Sequence, residues 1–180
     1  MTEGIHHLQT RLGRESEKVC GYFEGLAPAA WEQRVYTTGS AWRVREILAH
    51  FITAERGYLY YMRDTLAGGP GVPRDFDIDA FNEAQVPTLE ALSNQELVEA
   101  FRSVRQETVE FIGTLAPSDL DREGYHPWFG QGTLGFMIKL IYRHPMLHLR
   151  DVRQAIDSGR PVPHGEGYVS FAGEQSPSGD

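Results

Sequence analysis

Four stretches of this chain repeat apolar side chains at spacings of three, four and seven, the mark of helices with one buried face. Clusters of glycine and proline separate them. The first stretch spans residues 5–26, with Ile5, Leu8, Leu12, Val19, Tyr22, Phe23 and Leu26 on one stripe, and Pro28 follows it. The second opens near Ser40 or Ala41 and carries Trp42, Val44, Ile47, Leu48, Phe51, Ile52, Tyr58, Leu59 and Met62. It ends before the breaker formed by Gly68, Gly69, Pro70, Gly71 and Pro73. The third starts at a capping box, Ser93 with Glu96, places Leu97, Phe101, Val104, Phe111 and Leu115 on one stripe, and stops near Pro117. The fourth runs from about Thr133 to Ile156, with Gly159 and Pro161 in the order that ends a helix.

Nothing between these stretches alternates as a strand would. Residues 29–41 and 118–132 read as connectors, and Asp75–Gln85 as a short helix or a loop interrupted at Pro87. The predicted class is therefore all-α, and a four-helix bundle is the simplest way for four such stripes to share one core. The connection between the second and third long helices is too long for a tight hairpin. It predicts a bundle with a long crossover at that point. Residues 1–159 form the expected domain, and 160–180, rich in Gly, Ser and Pro, read as a loosely attached or disordered tail.

Composition narrows the functional classes. With 180 residues the chain is long enough for one domain with a full core. Its 17 basic and 25 acidic residues leave a formal charge of -8, which argues against non-specific binding to nucleic acid. No apolar run is long enough to span a membrane, and the first residues lack the pattern of a secretory signal. The expected compartment is the cytoplasm. A single cysteine, Cys20, allows no disulfide within the chain and no cysteine-based zinc site; it reads as a small apolar helix residue.

The chemistry lies with the histidines. His144 and His148 are four apart on the predicted last helix, so both rings lie on one face about 6 Å apart along the axis. That spacing suits two imidazoles converging on one ion, as in HEXXH zinc sites, although no HEXXH string occurs. His50 sits in the middle of the second helix and supplies a third ligand if that helix faces the last one. Three neutral imidazoles with an open position make a catalytic type of site for zinc or a similar divalent ion. The bland alternative is a set of hydrogen-bonded core histidines.

Two segments carry a resemblance. Trp42 to Tyr58 (WRVREILAHFITAERGY), with a histidine eight residues after the tryptophan, and His144 to Ile156 (HPMLHLRDVRQAI) resemble the two signatures of the DinB-like superfamily. The stretch Asp79 to Val86 (DAFNEAQV) between them agrees in order and distance, and the likeness covers roughly residues 5–159. The first signature, with His148 and Asp151, is also similar to the N-terminal domain of mycothiol-dependent maleylpyruvate isomerases, which belongs to the same superfamily. The resemblance implies a four-helix bundle with a divalent metal held by three residues, carried over here to His50, His144 and His148. It also implies relatives that act as thiol-dependent S-transferases or isomerases, and it suggests a homodimer. Pro145 departs from a regular helix: it removes the hydrogen bond to Ile141 and predicts a kink beside His144.

Spacing proposes carboxylates behind the ligands, because a ligating imidazole usually donates its other N–H to one. Asp151 shares the face of His144 and His148, and Glu46 lies one turn before His50; Glu55 is less well placed. Glu46 and Asp151 are thus candidates equally for a catalytic base or for orienting the ligands, while the commoner role of such a residue is a solvent-facing helix carboxylate. Tyr58, Tyr61, Trp128 and Phe129 are candidates to line a pocket.

Other signals are discounted. Gly130, Gly132 and Gly135 spell GxGxxG without a flanking strand pattern, and so read as loop and helix start. The Glu-x-x-His strings at Glu3–His6 and Glu123–His126 are poorly placed for a di-iron bundle. No P-loop and no nucleophile elbow occurs. The expectation is a metal-dependent enzyme, with zinc or nickel, acting on a small molecule with water or a low-molecular-weight thiol. Thiol transfer, thiol-dependent isomerisation and hydrolysis stay open. The alternatives are a non-catalytic metal- or ligand-binding module of stress-response type, or an interaction scaffold.

Overall fold

The computed structural model describes residues 4–165. Four long helices form a bundle: α1 (Ile5–Glu24), α2 (Val44–Leu66), α4 (Asn94–Gly113) and α5 (Leu134–Ser158). A short helix, α3 (Ile78–Gln85), lies in the connection between α2 and α4. The predicted apolar stripes are the faces that are buried: Leu8, Leu12, Phe23, Ile47, Phe51, Phe101, Ile138 and Val152 all belong to one core. Among the described residues no helix is long and apolar enough to cross a membrane.

Local chemistry sets the helix ends. Ser93 and Glu96 make the reciprocal capping box at the start of α4, as their spacing predicts. Thr133 accepts from the Phe136 N–H at the start of α5, and Gly159 ends that helix in the left-handed conformation at φ 65°. Asp77 caps α3 through the N–H groups of Asp79 and Ala80.

Both α1 and α2 pack against α4 and α5. The long connection through α3 therefore joins helices that are neighbours. The two shorter connections, α1 to α2 and α4 to α5, step across the bundle. This arrangement sets α2 beside α5, the condition His50 needs to meet the last helix.

One buried side chain touches all four helices. Arg105, on α4, is 1% exposed. It makes a two-pronged ion pair with Glu55 of α2, at 2.6 and 2.8 Å, and donates to the carbonyls of Leu12 on α1 and Ile141 on α5. Glu55 is thus not solvent-facing, and its partner is Arg105 rather than an imidazole.

The 118–132 stretch corrects the loop reading. It contains an antiparallel hairpin, β1 (Glu123–His126) and β2 (Gly130–Thr133), in which His126 pairs with Gly130 and Gly124 with Gly132. Gly124 lets the hairpin approach α2, because a Cβ there would stand 2.4 Å from Thr65 Oγ1. The breaker after α2 also has a structural task. Gly71, at φ 90°, bridges to Tyr125 and ties the hairpin to the end of α2. The GxGxxG string thus runs along β2 and into the first turn of α5, with no βαβ unit around it.

The stretch from residue 160, read as a loose tail, is fastened at its start. Val162 is buried and pairs with Tyr36, exchanging backbone hydrogen bonds with Val35 and Thr37 at 2.8 and 2.9 Å. Residues 166–180 of that tail lie outside the described residues.

Candidate metal centre

His50 projects from α2, and His144 and His148 from α5, one turn apart on the face turned to α2. Their Nε2 atoms converge: His50 to His144 is 2.9 Å, and His148 to His144 is 3.0 Å. The three ligand atoms all lie within 4.8 Å of one another. The kink expected at Pro145 does not swing His144 away. α5 is helical through it, and the Ile141 carbonyl, deprived of its N–H partner, accepts from Arg105 at 3.2 Å.

Burial dominates the protonation of this cluster. It pushes His144 down to about 3, with further repulsion from neighbouring histidines and Arg105. It also holds His50 and His148 well below the usual imidazole range, and the other histidines add to the effect. All three are neutral at physiological pH, the form that ligates a cation.

The donor set fits a divalent ion. An ion about 2.0–2.1 Å from each nitrogen would place tetrahedral neighbours about 3.3 Å apart. The His50–His144 and His148–His144 separations are within a few tenths of an ångström of that spacing, and the third pair lies within 4.8 Å. The surroundings of the rings also suit ligation. His148 Nδ1 lies 2.5 Å from the Tyr36 hydroxyl, which is 3.4 Å from Asp151 Oδ2. With the His148 Nε2 lone pair turned inward, Nδ1–H donates to Tyr36 and Tyr36 donates to Asp151. His50 is held by stacking on Trp42, with ring centroids 4.7 Å apart, and its buried Nδ1 has no hydrogen-bond partner among the described residues.

The two candidate carboxylates part company. Asp151 is buried and backs His148 through Tyr36, as its place on the helix face suggests. Glu46 does not back His50. Its carboxylate turns to the start of α2, where it accepts from the Arg43 backbone N–H at 2.7 Å and pairs with the Arg43 guanidinium. Partial burial works against its charge, but those hydrogen bonds outweigh it and hold the carboxyl below its usual range. Glu46 is a helix cap, and the i–4 spacing that nominated it cannot tell a cap from a partner of His50.

The triad forms the floor of a cavity of about 200 Å³. Tyr58, Tyr61 and Trp128 line it as expected; Phe129 instead packs against His126, with centroids 5.2 Å apart. Burial raises the Tyr61 phenol to about 12 and Tyr58 still further, so both stay protonated and act as donors rather than bases. Two wall histidines escaped the sequence reading as site residues. His126 arrives on the hairpin and stacks on Tyr58. His164 arrives beyond Val162 and stacks on His148. Tyr36 escaped it too, since it sits in a connector that spacing cannot place. Cys20, by contrast, is buried in the core of α1 with its thiol raised by burial, consistent with an inert apolar role.

Comparison with known proteins agrees with this geometry. The family model of the DinB superfamily matches residues 11–152. The fold is similar to that of YfiT from Bacillus subtilis, described as a probable metal-dependent hydrolase with an unusual four-helix bundle topology. The TM-score is 0.69 at 16% identity, covering 89% of this chain and 90% of that one. It is also similar to an uncharacterised protein from Escherichia coli UTI89 (TM-score 0.65, 16% identity, 88% and 96% covered). A third likeness is to the colibactin self-resistance protein ClbS, solved with a dsDNA (TM-score 0.63, 14% identity, 83% and 94% covered). No curated protein matches the sequence. The family match spans most of the bundle and includes all three converging histidines, and on that ground the chain belongs to the DinB superfamily.

Proposed function

We propose that this protein is a divalent-metal-dependent enzyme acting on a small molecule bound in the cavity above His50, His144 and His148. The observation that carries the proposal is the grouping of three neutral imidazoles, with ligand atoms within 4.8 Å of one another, in the lining of that cavity. Zinc or nickel suits an all-imidazole donor set. When bound, such an ion supplies Lewis acidity and lowers the pKa of water or of a low-molecular-weight thiol toward neutrality.

The chain's own residues do the rest. Tyr36 and Asp151 fix the ring of His148 and raise its basicity. Trp42 holds the ring of His50. Tyr58 and Tyr61 keep their protons and present donors to the cavity. The chain's one cysteine is buried in the core, so the nucleophile comes from outside: water for hydrolysis, or a thiol for transfer or isomerisation. The formal charge of -8, with Asp79 and Glu83 at the cavity mouth, supports a small-molecule partner over a polyanion such as DNA.

One observation favours a second reading, a binding module of stress-response type without turnover. Both candidate carboxylates have structural partners, Asp151 behind His148 and Glu46 at the start of α2. Elemental analysis of untagged wild type beside His148→Ala tests the metal. Near-stoichiometric zinc or nickel, lost in the variant, supports the centre. Metal-free wild type after incubation with either ion sinks it. Turnover of thioester, ester or thiol-transfer probes by the loaded protein then separates the enzyme from the module.

A further inference from the structure

His126 is one of two cavity histidines, with His164, that the proposed metal centre leaves without a role. It is 4% exposed and lies on β1, which ends against the cavity. Its Nδ1 accepts the backbone N–H of Trp128 at 3.1 Å. Two donors cannot face each other, so the proton of the neutral ring must sit on Nε2. That Nε2–H makes no hydrogen bond to the protein among the described residues. The ring is fixed by stacking on Tyr58, with centroids 5.6 Å apart and planes at 18°. Burial pushes its pKa down to about 4, which keeps it a neutral single donor. A charge on His126 would act on His144, so the two rings share the cavity.

The charges around the cavity are equally specific. Among the described residues its lining contains no arginine or lysine, and Asp79 and Glu83 of α3 stand at its mouth. A carboxylate entering the cavity would meet repulsion at the mouth and no side-chain cation within. Much of the remaining wall is aromatic, with Trp42, Tyr58, Tyr61 and Trp128, and its neutral polar side chains are Ser40 and Asn82. The volume is below the roughly 300–1,000 Å³ of drug-sized sites and suits one ring with a short substituent.

We propose that the cavity's own side chains, before any ion is bound, favour an uncharged, flat molecule bearing a carbonyl-type acceptor, held by His126 Nε2–H, over its carboxylate counterpart. This rests on the site proposed above as the place where substrate binds. It does not rest on the ion, because the selecting residues are on the chain. His126 is thereby a substrate-positioning residue.

The test uses benzamide and benzoate, which match in shape and differ in charge. Each is titrated against the full-length metal-free protein by tryptophan fluorescence, since Trp42 and Trp128 line the cavity while Trp31 is buried in the core. Benzamide should bind at least about ten-fold more tightly than benzoate. His126→Asn keeps an acceptor for Trp128 but has no atom at the Nε2 position, and should weaken benzamide about five-fold. His126→Gln restores a donor there and should recover most of that loss. Benzoate binding as tightly as benzamide overturns the proposal, and so does the absence of saturable benzamide binding. Equal benzamide affinity for wild type and a folded His126→Asn also overturns it. Zinc retention, measured separately, distinguishes the readings. A benzamide preference without zinc binding sinks only the metal centre, and zinc binding without the preference sinks only this inference.

Discussion

The guanidinium of Arg105 donates to the carbonyl of Ile141, the acceptor that Pro145 leaves without a helical partner. A proline one residue after a candidate ligand would ordinarily open the helix at the preceding turn. Here a side chain from another helix fills the vacancy, and the same guanidinium is neutralised by Glu55. Arg105→Met should therefore cost about 3–5 kcal/mol, because it strands the buried Glu55 carboxylate and the Ile141 carbonyl together. Adding Glu55→Leu should recover part of that loss. Urea denaturation of the two variants checks the order; a double variant no more stable than Arg105→Met would contradict it.

Tyr36 and Glu46 should separate in their effects on metal. Tyr36→Phe removes the hydroxyl between His148 and Asp151 and should lower zinc affinity about 10–100-fold, read by competition with a chromophoric chelator. Glu46→Gln should leave zinc affinity unchanged. It should instead cost about 1 kcal/mol of stability through the weakened start of α2. A large zinc effect at Glu46 would contradict the cap assignment.

Acid should destabilise the metal-free protein in a defined window. His126 has a folded value of about 4, below the unfolded imidazole value of about 6.5, so the unfolded chain binds more protons between them. Its contribution is complete above pH 6.5 and is lost as the pH falls toward 4. Stability should drop by about 2 kcal/mol from this residue alone between pH 7.5 and 5. The lowered values of His50, His144 and His148 act in the same direction. Urea melts at the two pH values measure it, and His126→Gln should flatten the slope.

Gly71 should tolerate no side chain. It combines φ 90° with a position where a Cβ would stand 2.8 Å from the Tyr125 carbonyl oxygen. Gly71→Ala should cost about 1–3 kcal/mol and loosen the hairpin that carries His126. Thermal melts and hydrogen exchange at residues 123–133 report the two effects separately. Full protection of the hairpin in the variant would show that the bridge to Tyr125 is dispensable.

Periodicity revealed the bundle because its information is local. Leu97, Phe101 and Val104 announce one face of α4 whatever packs against them, and His144 and His148 share a face by spacing alone. The hairpin escaped because its strands, EGYH and GQGT, hold three glycines and no apolar alternation. Its register is set by β1–β2 pairing and by Gly71, not by a hydrophobic face of its own. Tyr36, His126 and His164 could not be placed for the same reason: each reaches the site through a connector, and no spacing rule links them to His148. Glu55 and Glu46 show the limit from the other side. Each lies close to His50 in sequence, yet the partner that decides its role, Arg105 or Arg43, is found only in three dimensions.

The cavity's floor and mouth come from different parts of the fold. The three imidazoles stand on helices whose other residues build the core, so a change in their placement disturbs the bundle. The mouth is assembled from α3, which has no buried residue, and from Trp128, which is half exposed. Side chains at the mouth can therefore be exchanged at little folding cost. A protein engineer, or natural drift, could re-line the mouth for a different guest while the three-histidine floor stays as it is.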